Sequence, residues 1–144
     1  MSPGVRPASL PTPPPRLDPE TQPYWDAAAR GELVLPLCPR CDRLFWYPRG
    51  ACPRCGATDL SWRPASGEGV VYSFSVVRRA GGAWAQAVPY VLAYVTLAEG
   101  LTVAANIVGC APEEITVDLP VHAVFEAAAA GDPAILRFTP AAAG

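Results

Sequence analysis

The sequence contains no lysine; all 11 of its basic residues are arginine. No side chain can therefore form a Schiff base with a carbonyl substrate, which excludes lysine-based aldol and decarboxylation chemistry from this chain. Histidine is nearly as scarce. The single His122 lies between Val121 and Ala123 in an apolar run, where it reads as a structural strand residue. Without a second histidine or a plausible nucleophile, no Ser-His-Asp or Cys-His-Asn arrangement can be defended. No apolar run approaches the roughly 18 residues of a bilayer span. Met1-Ser2-Pro3-Gly4 is followed by no apolar segment of the secretory kind, so a cytoplasmic protein without a membrane span is expected. Charged residues make up only 17% of the 144 positions and the net formal charge is −2. That acidic balance counts against a dedicated nucleic-acid binder, which carries a basic footprint. The 51% hydrophobic content excludes a disordered chain.

Proline is abundant and uneven: 18 in all, eight of them among the first 23 residues. Residues 1–20 are expected to be a disordered or extended Pro-rich leader with polyproline character. Residues 21–32 form a docking helix. Thr21 or Gln22 can cap it, Pro23 suits its first turn, and Gly31 closes it. Tyr24, Ala27 and Ala28 share one face. Two turns are unstable alone, so the helix must dock, either on its own domain or on a second subunit. Residues 33–63 carry cysteine pairs among short apolar pieces. Residues 64–140 alternate as five strands near 70–77, 90–97, 101–108, 121–128 and 134–138. Five strands with no strong intervening helix suit a small closed barrel of the OB type, and the fold class is mainly β.

The sharpest local signal is Cys38-Pro39-Arg40-Cys41 followed, after ten residues, by Cys52-Pro53-Arg54-Cys55. Each Cys-x-x-Cys makes a tight turn with its amides aimed at the sulfurs. Two facing turns build a tetrahedral S4 site with Zn–S bonds near 2.3 Å. Iron also accepts S4 and would make the chain a rubredoxin-like electron carrier. The short gap and the attached barrel favour zinc. Four thiolates leave no open position for water or substrate, so the metal is read as structural. Cys110 stands alone and reads as a small buried residue.

Residues 40–79 hold seven arginines against three acids. Some of these arginines neutralise thiolates; the excess suggests a surface facing the phosphates of a small ligand. Arg78 and Arg79, beside the Gly81-Gly82 loop, are the candidate phosphate contacts, and strand alternation would send them to opposite faces. Phe45, Trp46, Tyr47 and Trp62 read as ribbon packing, with base stacking as the alternative.

Several segments together carry a resemblance. They are Tyr24-Trp25, Gly31-Glu32-Leu33, the cysteine pairs flanking Tyr47-Pro48-Arg49, Ser66-Gly67-Glu68-Gly69-Val70-Val71-Tyr72-Ser73, and Pro89-Tyr90. Over residues 21–140 the chain resembles the DUF35 family, in which a rubredoxin-like zinc ribbon precedes an OB-fold. Where that family has a glycine before the fourth long strand, Val117-Asp118-Leu119-Pro120-Val121 stands here. The resemblance implies a noncatalytic accessory subunit that binds acyl-CoA and scaffolds a thiolase-superfamily enzyme. The implied partner is a thiolase or a lipid-transfer-protein-type aldolase that cleaves side-chain acyl-CoA thioesters, with steroid or lipid degradation as a setting. It also implies an acyl-CoA hydratase as a further partner; with zinc held by Cys38, Cys41, Cys52 and Cys55 and acyl-CoA as the ligand, Arg78 and Arg79 are the candidate contacts to the CoA phosphates. Two other readings remain: a single-stranded nucleic-acid module, which strongly salt-dependent oligonucleotide binding would reveal, and the iron electron carrier, which would be coloured.

Overall fold

The computed structural model describes residues 4–142. Helix α1 spans Gln22–Ala29 with Pro23 in its first turn. Its Tyr24, Ala27 and Ala28 are buried together with Leu33, Val34 and Leu35. The helix thus docks on its own chain through the face that the sequence pattern marks. It ends at Gly31, where φ is +76° and a Cβ would lie 2.7 Å from the Gly4 carbonyl oxygen. Only glycine permits that approach.

The ribbon follows as three short strands, β2 (Val34–Cys38), β3 (Arg43–Leu44) and β4 (Ser61–Pro64), in the order β3-β2-β4 and all antiparallel. Its upper half shares the main core: Leu44, Trp46 and Trp62 pack against the cluster formed by α1, β2 and the barrel.

The barrel comprises β5 (Glu68–Val77), β6 (Tyr90–Leu97), β7 (Thr102–Ile107), β8 (Pro120–Ala127) and β9 (Ile135–Pro140). Pairing runs β5-β6-β7-β9-β8 and returns from β8 to β5, with only β7–β9 parallel. This closed circuit is that of an OB-fold. Alternation sends Val91, Ala93, Val95 and Leu97 inward from β6, and Val103, Ala105 and Ile107 from β7. Phe125 and Phe138 fill the centre. Gly69 on β5 faces the opposing strand so closely that a Cβ would sit 2.8 Å from the Thr96 carbonyl oxygen. All five strands lie within two residues of their expected bounds. At the turn into β8, Asp118 takes φ +69°, the left-handed conformation for which glycine is better suited. Its N–H still donates to the Val71 carbonyl at 2.8 Å.

The leader departs from expectation. Residues Val5–Pro7 form strand β1, parallel to Phe125–Ala127 of β8, and Ala8 N–H donates to the Ala127 carbonyl at 3.0 Å. The physical reason is an open edge. Strand β5 pairs with β8 only at Pro120–His122, so the second half of β8 has no barrel neighbour on that side. Backbone groups there need partners, and the leader supplies them.

Candidate metal centre and ligand-facing surfaces

Strand β2 delivers Cys38 at its last residue, and the hairpin into β3 returns Cys41 beneath it. Cys52 and Cys55 come from the long connection between β3 and β4. Cys52 is anchored by its own backbone, donating to the Ala57 carbonyl at 2.9 Å and accepting from Gly56 N–H at 2.9 Å. All four Sγ atoms lie within 4.8 Å of one another. Cys38 and Cys55 sulfurs are 3.6 Å apart, Cys41 and Cys52 sulfurs 3.9 Å. A tetrahedron with 2.3 Å metal–sulfur bonds has edges of about 3.8 Å, so the donor set fits zinc and is far from disulfide contact. Amides already face the sulfurs: Cys41 N–H points at Cys38 Sγ (3.5 Å) and Arg54 N–H at Cys52 Sγ (3.4 Å).

The thiols are electrostatically unequal. The Cys55 backbone N–H, opposed by burial and helped by that of Arg54, brings Cys52 down to about 6. Hydrogen bonding with Cys55, then burial, pushes Cys41 up to about 12. Crowded thiols resist multiple ionisation, and a divalent cation would relieve that resistance. The small cluster beneath the site consists of Cys38, Phe45, Cys52 and Ala57, with Cys41 and Leu60 at the margin. Phe45 is therefore ribbon packing, Trp46 and Trp62 pack toward the main core, and Tyr47 is exposed. Arg40 sits 3.8 Å from Asp59 in an exposed ion pair of little energetic weight.

Strand β5 ends at Val77, so the Arg78 and Arg79 side chains lie beyond the pleat, both exposed, at the start of the β5–β6 loop. That loop also carries the short 3-10 turn Gly82–Gln86, whose Trp84 ring packs on Tyr90 at 4.7 Å. In OB barrels the outer face of the second and third strands and the loop between the first two strands take ligands. Here that face presents Leu92 and Tyr94, 49% and 54% exposed, around a groove of about 220 Å³ lined also by Ser73, Ser75 and Ala104. No charged residue lines it.

His122 faces outward from β8 opposite Glu68 of β5. The two share a cleft of about 730 Å³ with Val70, Thr96, Pro120 and Ala141. Cys110 is half-buried, and burial, with Glu114 nearby, raises its thiol above the ordinary range. It does not join the other cysteines.

One polar cluster escaped the sequence pattern. Glu126 and Arg137 sit on outward positions of β8 and β9, yet their side chains are only 4% and 8% exposed. Arg137 Nε lies 3.5 Å from Glu126 Oε1, its NH1 donates to Asn106 Oδ1 at 2.9 Å, and its NH2 to Thr12 Oγ1 at 3.4 Å. Ser9 Oγ donates to the Glu126 carboxylate at 2.9 Å. The leader is the cover.

Comparison with known proteins gives matches to two domain models: the rubredoxin-like zinc ribbon domain of ChsH2 over residues 25–61, and the C-terminal OB-fold domain of ChsH2 over residues 62–126. A DUF35 domain-containing scaffold protein of Methanocaldococcus jannaschii is 35% identical over 94 residues, which are 65% of this chain and 67% of that protein. A probable enoyl-CoA hydratase alpha subunit of Thermomonospora curvata is 38% identical over 98 residues. The match takes in 68% of this chain but only 30% of the hydratase subunit's length. Among solved structures, one described as an Ltp2-ChsH2(DUF35) aldolase superposes with a TM-score of 0.77 at 32% identity, covering 89% of this chain and 99% of that one. A DUF35 protein of unknown function from Sulfolobus solfataricus shares the fold, with a TM-score of 0.59 at 15% identity over 85% of this chain and 86% of that one.

Proposed function

The chain belongs to the DUF35 family of zinc-ribbon and OB-fold proteins, and on that premise we propose that it is a noncatalytic accessory subunit of a thiolase-superfamily enzyme. The observation that carries this reading is the likeness, over nearly the whole of the matched chain, to a structure described as an Ltp2-ChsH2(DUF35) aldolase. The closed S4 donor set supports it, since four thiolates hold a structural zinc and leave no position for substrate. The uncharged Leu92–Tyr94 face offers the apolar centre that protein interfaces use.

In this reading the partner is a lipid-transfer-protein-type aldolase or a thiolase, acting on side-chain acyl-CoA thioesters in cytoplasmic steroid or lipid degradation. Acyl-CoA is held across the shared boundary, with Arg78 and Arg79 meeting its phosphates from the β5–β6 loop. Positioning of this kind can change rates by orders of magnitude without a proton passing through this chain. The match to a hydratase alpha subunit favours an acyl-CoA hydratase as a second partner.

The test is copurification of the tagged chain from its native cytoplasm, with identification of bound protein and metal. A thiolase-fold protein with one zinc per chain is expected. A partner that turns over fully without this chain refutes the scaffold. Replacing Arg78 and Arg79 together with alanine is expected to weaken acyl-CoA binding by the complex at least tenfold while leaving zinc content unchanged. Unaltered binding moves the phosphate site elsewhere.

A further inference from the structure

We propose that the N-terminal arm is a reversible strap, which closes over the outer face of β8 and β9 and thereby locks α1 and the ribbon to the barrel. Four contacts at separate places support this. Val5–Pro7 extend the sheet along the open edge of β8. Ser9 and Thr12 seal the Glu126–Arg137 pair from solvent. Gly4 lies against Gly31 at the end of α1. Glu20, at the far end of the same segment, packs on Gly50 of the ribbon. The single run of residues 4–20 therefore touches barrel, helix and ribbon. None of it falls within the matched domain models, which span residues 25–126 and also leave out Arg137.

Reversibility follows from how the seal is made. Strand β1 has three residues, ends in a proline, and has its Arg6 and Pro7 exposed. The closed arm also leaves Arg137 Nε buried without a hydrogen-bond partner, a group that water satisfies once the arm lifts. Opening solvates an ion pair rather than stranding it. The barrel circuit β5-β6-β7-β9-β8 is complete without the arm.

Hydrogen exchange on the zinc-loaded full chain tests the strap against two variants: a chain lacking Ser2–Thr12, and the full-length double substitution Ser9→Ala/Thr12→Val. In the truncated chain, residues 124–127 and 28–31 are expected to exchange at least tenfold faster, with 91–97 in β6 unchanged. Adding a synthetic peptide of residues 1–12 should restore both segments; a scrambled peptide should restore neither. The double variant should accelerate the same two segments to a smaller degree, and it decides alone if the truncated chain does not fold. Unchanged exchange at 124–127 or at 28–31, or a folded truncated chain that the native peptide fails to protect, overturns the proposal.

Discussion

Replacing Glu126 with leucine in the full chain is the most informative single perturbation. The carboxylate and its arginine are 4% and 8% exposed. Loss of the carboxylate leaves a buried guanidinium whose remaining partners are Asn106 and Thr12. Breaking one side of a buried pair costs about 3–5 kcal/mol, and the Ser9 hydrogen bonds lost with it add about 1 kcal/mol. The penalty has a ceiling, because the arm can lift and let water reach Arg137. Without residues 2–12 the pair is open to solvent from the start, and the same substitution should cost about 0–1 kcal/mol, as exposed pairs do. The double change Glu126→Leu/Arg137→Met removes both charges and should recover most of the single loss. Urea unfolding of zinc-loaded protein, followed by tryptophan fluorescence, measures all of these. An equal loss with and without the arm, or additive losses in the double variant, would refute the idea that the arm creates the burial.

Four further outcomes are expected. Cys52→Ser should abolish stoichiometric zinc binding and melt the ribbon, a loss on the order of 10 kcal/mol by comparison with zinc-finger peptides, because so little else is buried there; metal analysis together with circular dichroism before and after chelation checks it. Asp118→Gly should stabilise the chain by up to about 1 kcal/mol by easing the left-handed turn at φ +69°, whereas Asp118→Val should destabilise it by about 1–3 kcal/mol, both read from thermal or urea midpoints. In the zinc-loaded protein Cys110 should alkylate more slowly than a free cysteine at pH 8. Burial and then Glu114 raise its thiol, so the thiolate forms only as pH climbs beyond the usual range, and mass spectrometry of the labelled peptide follows the rate. Leu92→Glu places a charge at the centre of the uncharged groove and should abolish capture of the partner enzyme while leaving the unfolding midpoint within about 0.5 kcal/mol.

The features legible in the sequence were those set by local periodicity. Cys-x-x-Cys spacing brought the four sulfurs together, the apolar run over 90–97 located β6, and Tyr24, Ala27 and Ala28 marked the buried side of α1. Glu126 and Arg137 do point out of the barrel, as strand alternation requires. What it could not register is that the outside is covered there. The cover is a proline-rich stretch whose composition speaks for a solvated chain, and its strand partner lies at the opposite end of the sequence. Alternation does not reach Arg78 and Arg79, because strand β5 stops one residue before them. Asp118 shows the converse, a missing glycine whose backbone conformation survives because aspartate tolerates it.

The arm's contacts also fix an order of events during synthesis. Ser9 meets Glu126 across 117 residues of chain, so the arm, made before its partner, must wait for one of the last two barrel strands. Closing that loop in an otherwise unfolded chain is entropically dear. Once α1 has docked, only about 14 residues between β1 and the helix remain free, which lowers the closure cost by about 2 kcal/mol. Late docking is therefore favoured. Until then the prolines serve a second purpose: residues without backbone N–H groups are poor partners for any strand formed earlier, so the waiting segment is kept from pairing in the wrong place.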